Sequence, residues 1–256
     1  VAPEVVEAML PYFTERYGNA SSMHSFGGGL IADIRRARHQ VADLIGAHPD
    51  EILFTSGGTE SDATAVYAAL KSQPNKRHIV TTRVEHPAIK NLFELYAKNG
   101  YRVTVIPVDG EGRLDQEALV ESLSDDTAIV SVMWANNETG TIFPVEEISR
   151  KVRERDIVFH TDAVQAVGKI PVNMADSAID MLSISGHKLH APKGIGGLFV
   201  KAGRHEVFGG GSGKERAEDE RDQQRMVRLA CPIEKHPPPN ALRVHDVPSL
   251  PWGYGR

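Results

Sequence analysis

Lys188 closes the segment Ser183-Ile184-Ser185-Gly186-His187-Lys188, and Asp162 lies in His160-Thr161-Asp162-Ala163-Val164-Gln165. Each follows a short apolar run. A lysine and an aspartate that end two buried strands can converge on one pocket at the edge of a sheet. Pyridoxal phosphate chemistry needs that pair: an amine to form a Schiff base, and a carboxylate to keep a pyridine nitrogen protonated. Either residue alone reads equally well as a solvated strand end. The weight therefore rests on what else reaches the same place.

Three other strand ends supply polar groups. Ser56-Gly57-Gly58-Thr59 sits between an expected strand and an expected helix, where backbone N–H groups and the positive helix end hold a phosphate. Thr59 adds a hydroxyl. The turn lacks the spacing of a Walker loop, and glycines also occur in such turns for steric reasons. His86, in Val84-Glu85-His86-Pro87, is placed to stack on a flat ring or to cap a helix. Asn137, in Ala135-Asn136-Asn137-Glu138-Thr139-Gly140, and Gln165 offer amide donors for a ring hydroxyl, although the former segment also reads as a turn. His187 and His190 raise the question of a metal, but no further ligand cluster accompanies them, and no metal site is expected.

The elements that must position these groups alternate from about residue 30 to 200. Ile31, Ile34, Ala37, Val41, Leu44 and Ile45 recur at helical spacing. Strand-length apolar runs follow at 51–55, 78–82, 103–108, 129–134, 157–159, 181–184 and 197–200. Helical stretches fall between several of them, at 87–98, 116–123 and 145–153, with an alanine-rich one through about Leu70. This alternation predicts an α/β fold: a mostly parallel sheet covered on both faces, with ligands at the carboxyl ends of the strands.

Composition narrows the classes. The 256 residues are 41% hydrophobic and carry a formal net charge of -5 with no basic block, so nucleic acid is not an expected partner. No apolar run approaches a membrane span of roughly 20 residues, and no leader pattern precedes the first element; a cytoplasmic enzyme is the default expectation. The single cysteine, Cys231, excludes an internal disulfide. After Lys201 the composition shifts to glycines, a charge run and Pro237-Pro238-Pro239. Residues 1–201 are expected to form the cofactor-binding domain, and 202–256 a disordered tail.

The segments 55–61, 84–87, 135–140, 160–165 and 185–188, with Pro192-Lys193-Gly194 after the lysine, resemble in order and spacing the NifS/IscS-like cysteine desulfurases of the class-V aminotransferase group. Val132-Met133-Trp134 and Leu189-His190-Ala191 resemble the nitrogen-fixation branch most. The resemblance runs from near Val1 to about Val200. It implies fold type I of the pyridoxal-phosphate-dependent transferases, with pyridoxal 5'-phosphate as cofactor and L-cysteine as substrate. It further implies that Lys188 holds the cofactor and moves protons, and that Asp162 pairs with the ring nitrogen. His86 would stack on the ring and act in acid–base steps, Asn137 and Gln165 would face the ring oxygen, and Thr59, Ser185 and His187 would bind phosphate with the Gly58 backbone. The products would be alanine and an enzyme persulfide. By resemblance the intact enzyme is a homodimer that passes sulfur to an iron–sulfur scaffold protein.

The chain also departs from the pattern. The family's attacking cysteine lies on a serine- and glycine-rich loop, and Arg228-Leu229-Ala230-Cys231-Pro232-Ile233 lacks that setting. The opening strand of the family and most of its small domain are expected to be missing. Impaired activity follows as an expectation. Selenocysteine lyase or another class-V lyase or transferase shares the same pocket, and a non-catalytic remnant that binds cofactor or an intact subunit is the reading of a different class.

Overall fold

The computed structural model describes residues 1–16, 18 and 25–203. Among the described residues seven α-helices and seven strands follow in the order α1 (Pro3–Met9), α2 (Pro11–Thr14), α3 (Ser25–Ile45), β1 (Ile52–Thr55), α4 (Gly58–Ser72), β2 (His78–Thr82), α5 (Pro87–Lys98), β3 (Arg102–Ile106), α6 (Gln116–Ser122), β4 (Thr127–Ser131), α7 (Val145–Arg153), β5 (Val158–Asp162), β6 (Met181–Ser185) and β7 (Gly196–Val200). The strands form one sheet in the order β1-β7-β6-β5-β4-β2-β3. β7 runs antiparallel to both of its neighbours, and the other pairings are parallel. Six strands therefore point their carboxyl ends the same way.

Helix ends carry their own signals. α5 begins with His86 as cap, its Nδ1 accepting from the Ala88 N–H at 3.2 Å, and Pro87 as the first helical residue. Asp115 caps α6 by accepting from Ala118. α7 has Glu146 and Glu147 in its first turn and Arg150, Lys151 and Arg153 in its last, the arrangement that its dipole favours. α1 and α2 were not expected from periodicity. They bury no residue, and Ala2 N–H ties the first of them to the His190 carbonyl at 2.9 Å.

Because helices cover both faces, the inner strands are buried throughout and alternate between two apolar layers. Val80, Val130, Phe159, Leu182 and Phe199 face the layer of α3, α6 and α7. Ile79, Ile129, Val158, Met181 and Leu198 face the layer of α4 and α5. Continuing on the second face toward the strand ends, period two places Ser131, then His160 and Asp162, then Ser183 and Ser185. The sheet thus changes from apolar to polar as it approaches its carboxyl edge.

The observed strands differ from the predicted runs where this polarity changes. β5 reaches Asp162, beyond the apolar run that ends at Phe159, because His160, Thr161 and Asp162 are buried and laddered. β3 stops at Ile106 because Pro107 cannot continue the ladder. β4 ends at Ser131, although Val132 and Trp134 still donate to the carbonyls of His160 and Asp162. The tail expected over 202–256, with Cys231, lies outside the described residues from 204 onward.

Candidate active site

Gly58, Thr59, His86, Asn137, Asp162, Gln165, Ser185, His187 and Lys188 all line one pocket at the carboxyl edge of the sheet. Every site residue expected from sequence is there. Asp62, Met133 and Val164 complete the lining. His190 does not reach it.

Part of the lining has groups that could hold an anion. Gly57 has φ +155°, a conformation that L side chains rarely adopt, and turns the chain from β1 into α4. No side chain caps this helix, so its first N–H groups face the pocket unshielded. A Cβ on Gly58 would lie 2.9 Å from Val164 Cγ2 and 3.4 Å from Ser185 Cβ, so glycine keeps the cradle open. Ser185 Oγ is 2.8 Å from His187 Nδ1 across the same space. Burial, then Lys188, Lys193 and His86, hold His187 below the ordinary imidazole range.

Asp162, 6% exposed, fixes its carboxyl by accepting from the Val164 N–H at 3.0 Å. Burial raises its pKa, while the Val164 hydrogen bond and the nearby His86 pull it down. A cation in the pocket would therefore stabilise the ionised form. His86 lines the wall while its Nδ1 serves the cap, which leaves Nε2 for chemistry.

Lys188 ends the 3₁₀ turn Gly186–Lys188 that follows β6. The turn is anchored by the Gly186 N–H donating to the Ile195 carbonyl at 3.0 Å, just before β7. The Gln165 amide oxygen accepts from Lys169 at 3.1 Å, so its NH₂ remains a donor. The Asn137 amide donates to Glu138 at 2.5 Å. Asn136 holds that segment in place: its oxygen accepts from the Glu138 and Thr139 N–H groups, both at 2.9 Å, and its nitrogen donates to the Val84 carbonyl at 3.1 Å. The Asn137 and His86 loops are thereby tied together.

Three contributors escaped sequence reasoning. Asn136 was read only as part of a turn. Asp62 carries no local signal beyond being an acid in an alanine-rich helix. Glu85, 4% exposed, turns inward and accepts from Thr82 Oγ1 at 2.7 Å and from the Met133 N–H at 2.9 Å.

Comparison with known proteins agrees with this geometry. Residues 1–226 match the aminotransferase class-V family, and the chain belongs to it. The particular relatives it resembles are cysteine desulfurases. That of Trichormus azollae is 60% identical over 203 residues, which are 79% of this chain and 51% of the relative. Cysteine desulfurase NifS of Azotobacter vinelandii is 56% identical over 204 residues, with the same shares. The chain thus spans about half the length of the curated relatives it matches. Among solved structures, a NifS-like protein superposes with a TM-score of 0.77 at 35% identity, covering 90% of this chain and 66% of that one. A structure described as SspA in complex with cysteine gives 0.78 at 33% identity, covering 90% and 68%. Among the described residues no helix is long and apolar enough to cross a membrane.

Proposed function

We propose that this chain is the cofactor-binding part of a pyridoxal-phosphate-dependent cysteine desulfurase, which removes sulfur from L-cysteine and leaves alanine. The observation that carries this reading is the meeting, in one pocket, of a glycine cradle, a buried carboxyl and a lysine from separate strand ends. The residues fit the group. Gly58 N–H, Thr59, Ser185 and His187 would hold the phosphate, and Asp162 the ring nitrogen. His86 would cover a ring face, and Asn137 and Gln165 would donate to the ring oxygen.

When bound, pyridoxal 5'-phosphate supplies a sink for the electron pair left at a substrate α-carbon. The chain's own groups do the rest. Lys188 Nζ would hold the cofactor covalently until a substrate amine displaces it, and the freed amine would then take the proton from the substrate α-carbon. Asp162 keeps a proton on the ring nitrogen through its charge. His86 Nε2 is the wall group free to move a proton. Sulfur then needs an accepting thiol; Cys231 is the chain's only cysteine, and we assign it no such role because its sequence setting differs from the family's loop. By the same likeness to the relatives, the intact protein would pair as a homodimer and deliver sulfur to an iron–sulfur scaffold protein.

The test is an absorption titration of the purified chain with pyridoxal 5'-phosphate, followed by L-cysteine, with sulfide and alanine assayed in parallel. A visible band lost in Lys188→Ala, and altered by cysteine, supports the reading. An unchanged borohydride-reducible adduct in Lys188→Ala would overturn it.

A further inference from the structure

Three buried carboxyls lie at or beside the pocket: Asp62 and Asp162 line it, and Glu85 accepts from the N–H of Met133, which lines it too. Asp62, from α4, is 2% exposed; its Oδ1 has no hydrogen-bond partner and lies 3.6 Å from His160 Nε2. Glu85, from the segment after β2, satisfies Oε1 through Thr82 and Met133 but leaves Oε2 buried and without a partner. Asp162, at the end of β5, is the third. The other titratable groups around them are His160 on β5, His86 at the start of α5, and His187 and Lys188, which line the pocket together with Asp62 and Asp162. His160 shares its ring nitrogens with Ser131 Oγ at 2.9 Å and Ser183 Oγ at 3.0 Å. Among the described residues no lysine or arginine forms an ion pair with any of the three carboxyls, and no acid cluster has metal-holding geometry.

Three buried carboxyls that feel one another's charge resist being ionised together, because each charge raises the cost of the next. We propose that Asp62 and Glu85 are positioning residues that keep their protons, so that Asp162 is the carboxyl that carries charge toward a ring nitrogen. The inference rests on the cofactor reading above. Burial first, and Asp162 next, push Asp62 well above the carboxylate range. Burial pushes Glu85 up to about 8 against its two hydrogen bonds. Burial also holds His160 down at about 3, so the imidazole is neutral and gives Asp62 no positive partner. Asp162 alone among the three acids has His86 pulling it toward the charged form. Neutral Asp62 and Glu85 leave that charge unopposed by like charges.

Carboxyl-carbon NMR of the full chain, labelled at aspartate and glutamate, tests this before and after loading with pyridoxal 5'-phosphate. In the loaded chain at pH 7, Asp162 is expected to read ionised while Asp62 and Glu85 read protonated. In the unloaded chain, Asp62→Asn and Glu85→Gln should each leave the Asp162 midpoint within about half a pH unit of wild type, because each replaces a group that is already neutral, whereas an ionised neighbour would lower it by about a unit when removed. An ionised Asp62 or Glu85 in the loaded chain, or an Asp162 midpoint that falls by a full pH unit in either variant, overturns the proposal. If the wild-type chain takes up no cofactor, the cofactor reading fails instead, and the unloaded titrations still decide where the protons sit.

Discussion

Ser185 Oγ and His187 Nδ1 lie 2.8 Å apart, joining the last residue of β6 to the middle of the turn that presents Lys188. Ser185 is buried and His187 exposed, so the bond aligns an exposed ring with a buried strand end. Ser185→Ala removes both the hydroxyl and this alignment. Affinity for pyridoxal 5'-phosphate is expected to fall about tenfold, the equivalent of one hydrogen bond to a charged group. A dissociation constant unchanged in an absorbance titration would remove Ser185 from the phosphate-holding residues.

Gly58→Ala tests the cradle. Its methyl would press on Val164 and Ser185, at a cost of about 1–3 kcal/mol for a rigid site. Denaturant unfolding should show that loss, and cofactor affinity should fall with it. Full affinity with full stability would mean that the cradle yields easily.

Stability against pH should have two arms. His160 is neutral in the folded chain down to about pH 3, whereas its unfolded counterpart binds a proton near 6.5. The unfolded state thus holds more protons between these values, and stability falls as pH drops from about 6.5 toward 3. Glu85 has the opposite sign: it keeps its proton up to about pH 8 in the fold but loses it near 4.5 when unfolded. Stability contributed there falls as pH rises from about 4.5 to 8, by up to ~1.4 kcal/mol per pH unit. Glu85→Gln should make the alkaline arm shallower, leaving the share that Asp62 contributes with the same sign, and leave the acid arm in place. Thermal melts of the unloaded chain across pH 4–9 check both.

Asn136→Ala should cost about 1–2 kcal/mol, because the buried amide that joins the exposed Glu138 and Thr139 N–H groups to the Val84 carbonyl is lost. Denaturant unfolding measures the loss. Asn137→Ala breaks only a bond to its exposed neighbour Glu138 and should stay within about 0.5 kcal/mol of wild type.

The site was legible in the sequence because it is built at strand ends, and six strands point one way. Once Lys188 and Asp162 are placed at carboxyl ends of parallel strands, His86, Asn137 and Gln165 follow them to the same edge. What stayed hidden depends on packing between distant segments. Asp62 acquires meaning only when α4 lies on the face of β5 that carries His160. Glu85 does so only when the loop after β2 folds back beneath Met133. β5 was read short for a related reason: a search for apolar residues stops at His160, yet the ladder and the covering helix keep that polar stretch in the sheet. α1 and α2 bury nothing and so offered no periodicity.

The reversed strand β7 has a consequence for assembly. β1 is bonded to the sheet through β7 alone, in a register that pairs Ile52 with Phe199. The lysine turn is anchored beside the same strand, by Gly186 to Ile195. Parallel pairing can therefore bring Asp162 beside the strand that precedes Lys188 while the glycine turn at Gly57 is still adrift. Closing so long a loop is slow, and a chain caught before it closes would grip a ring but have nowhere to seat its phosphate. The order of strand docking thus decides which half of the pocket is born first.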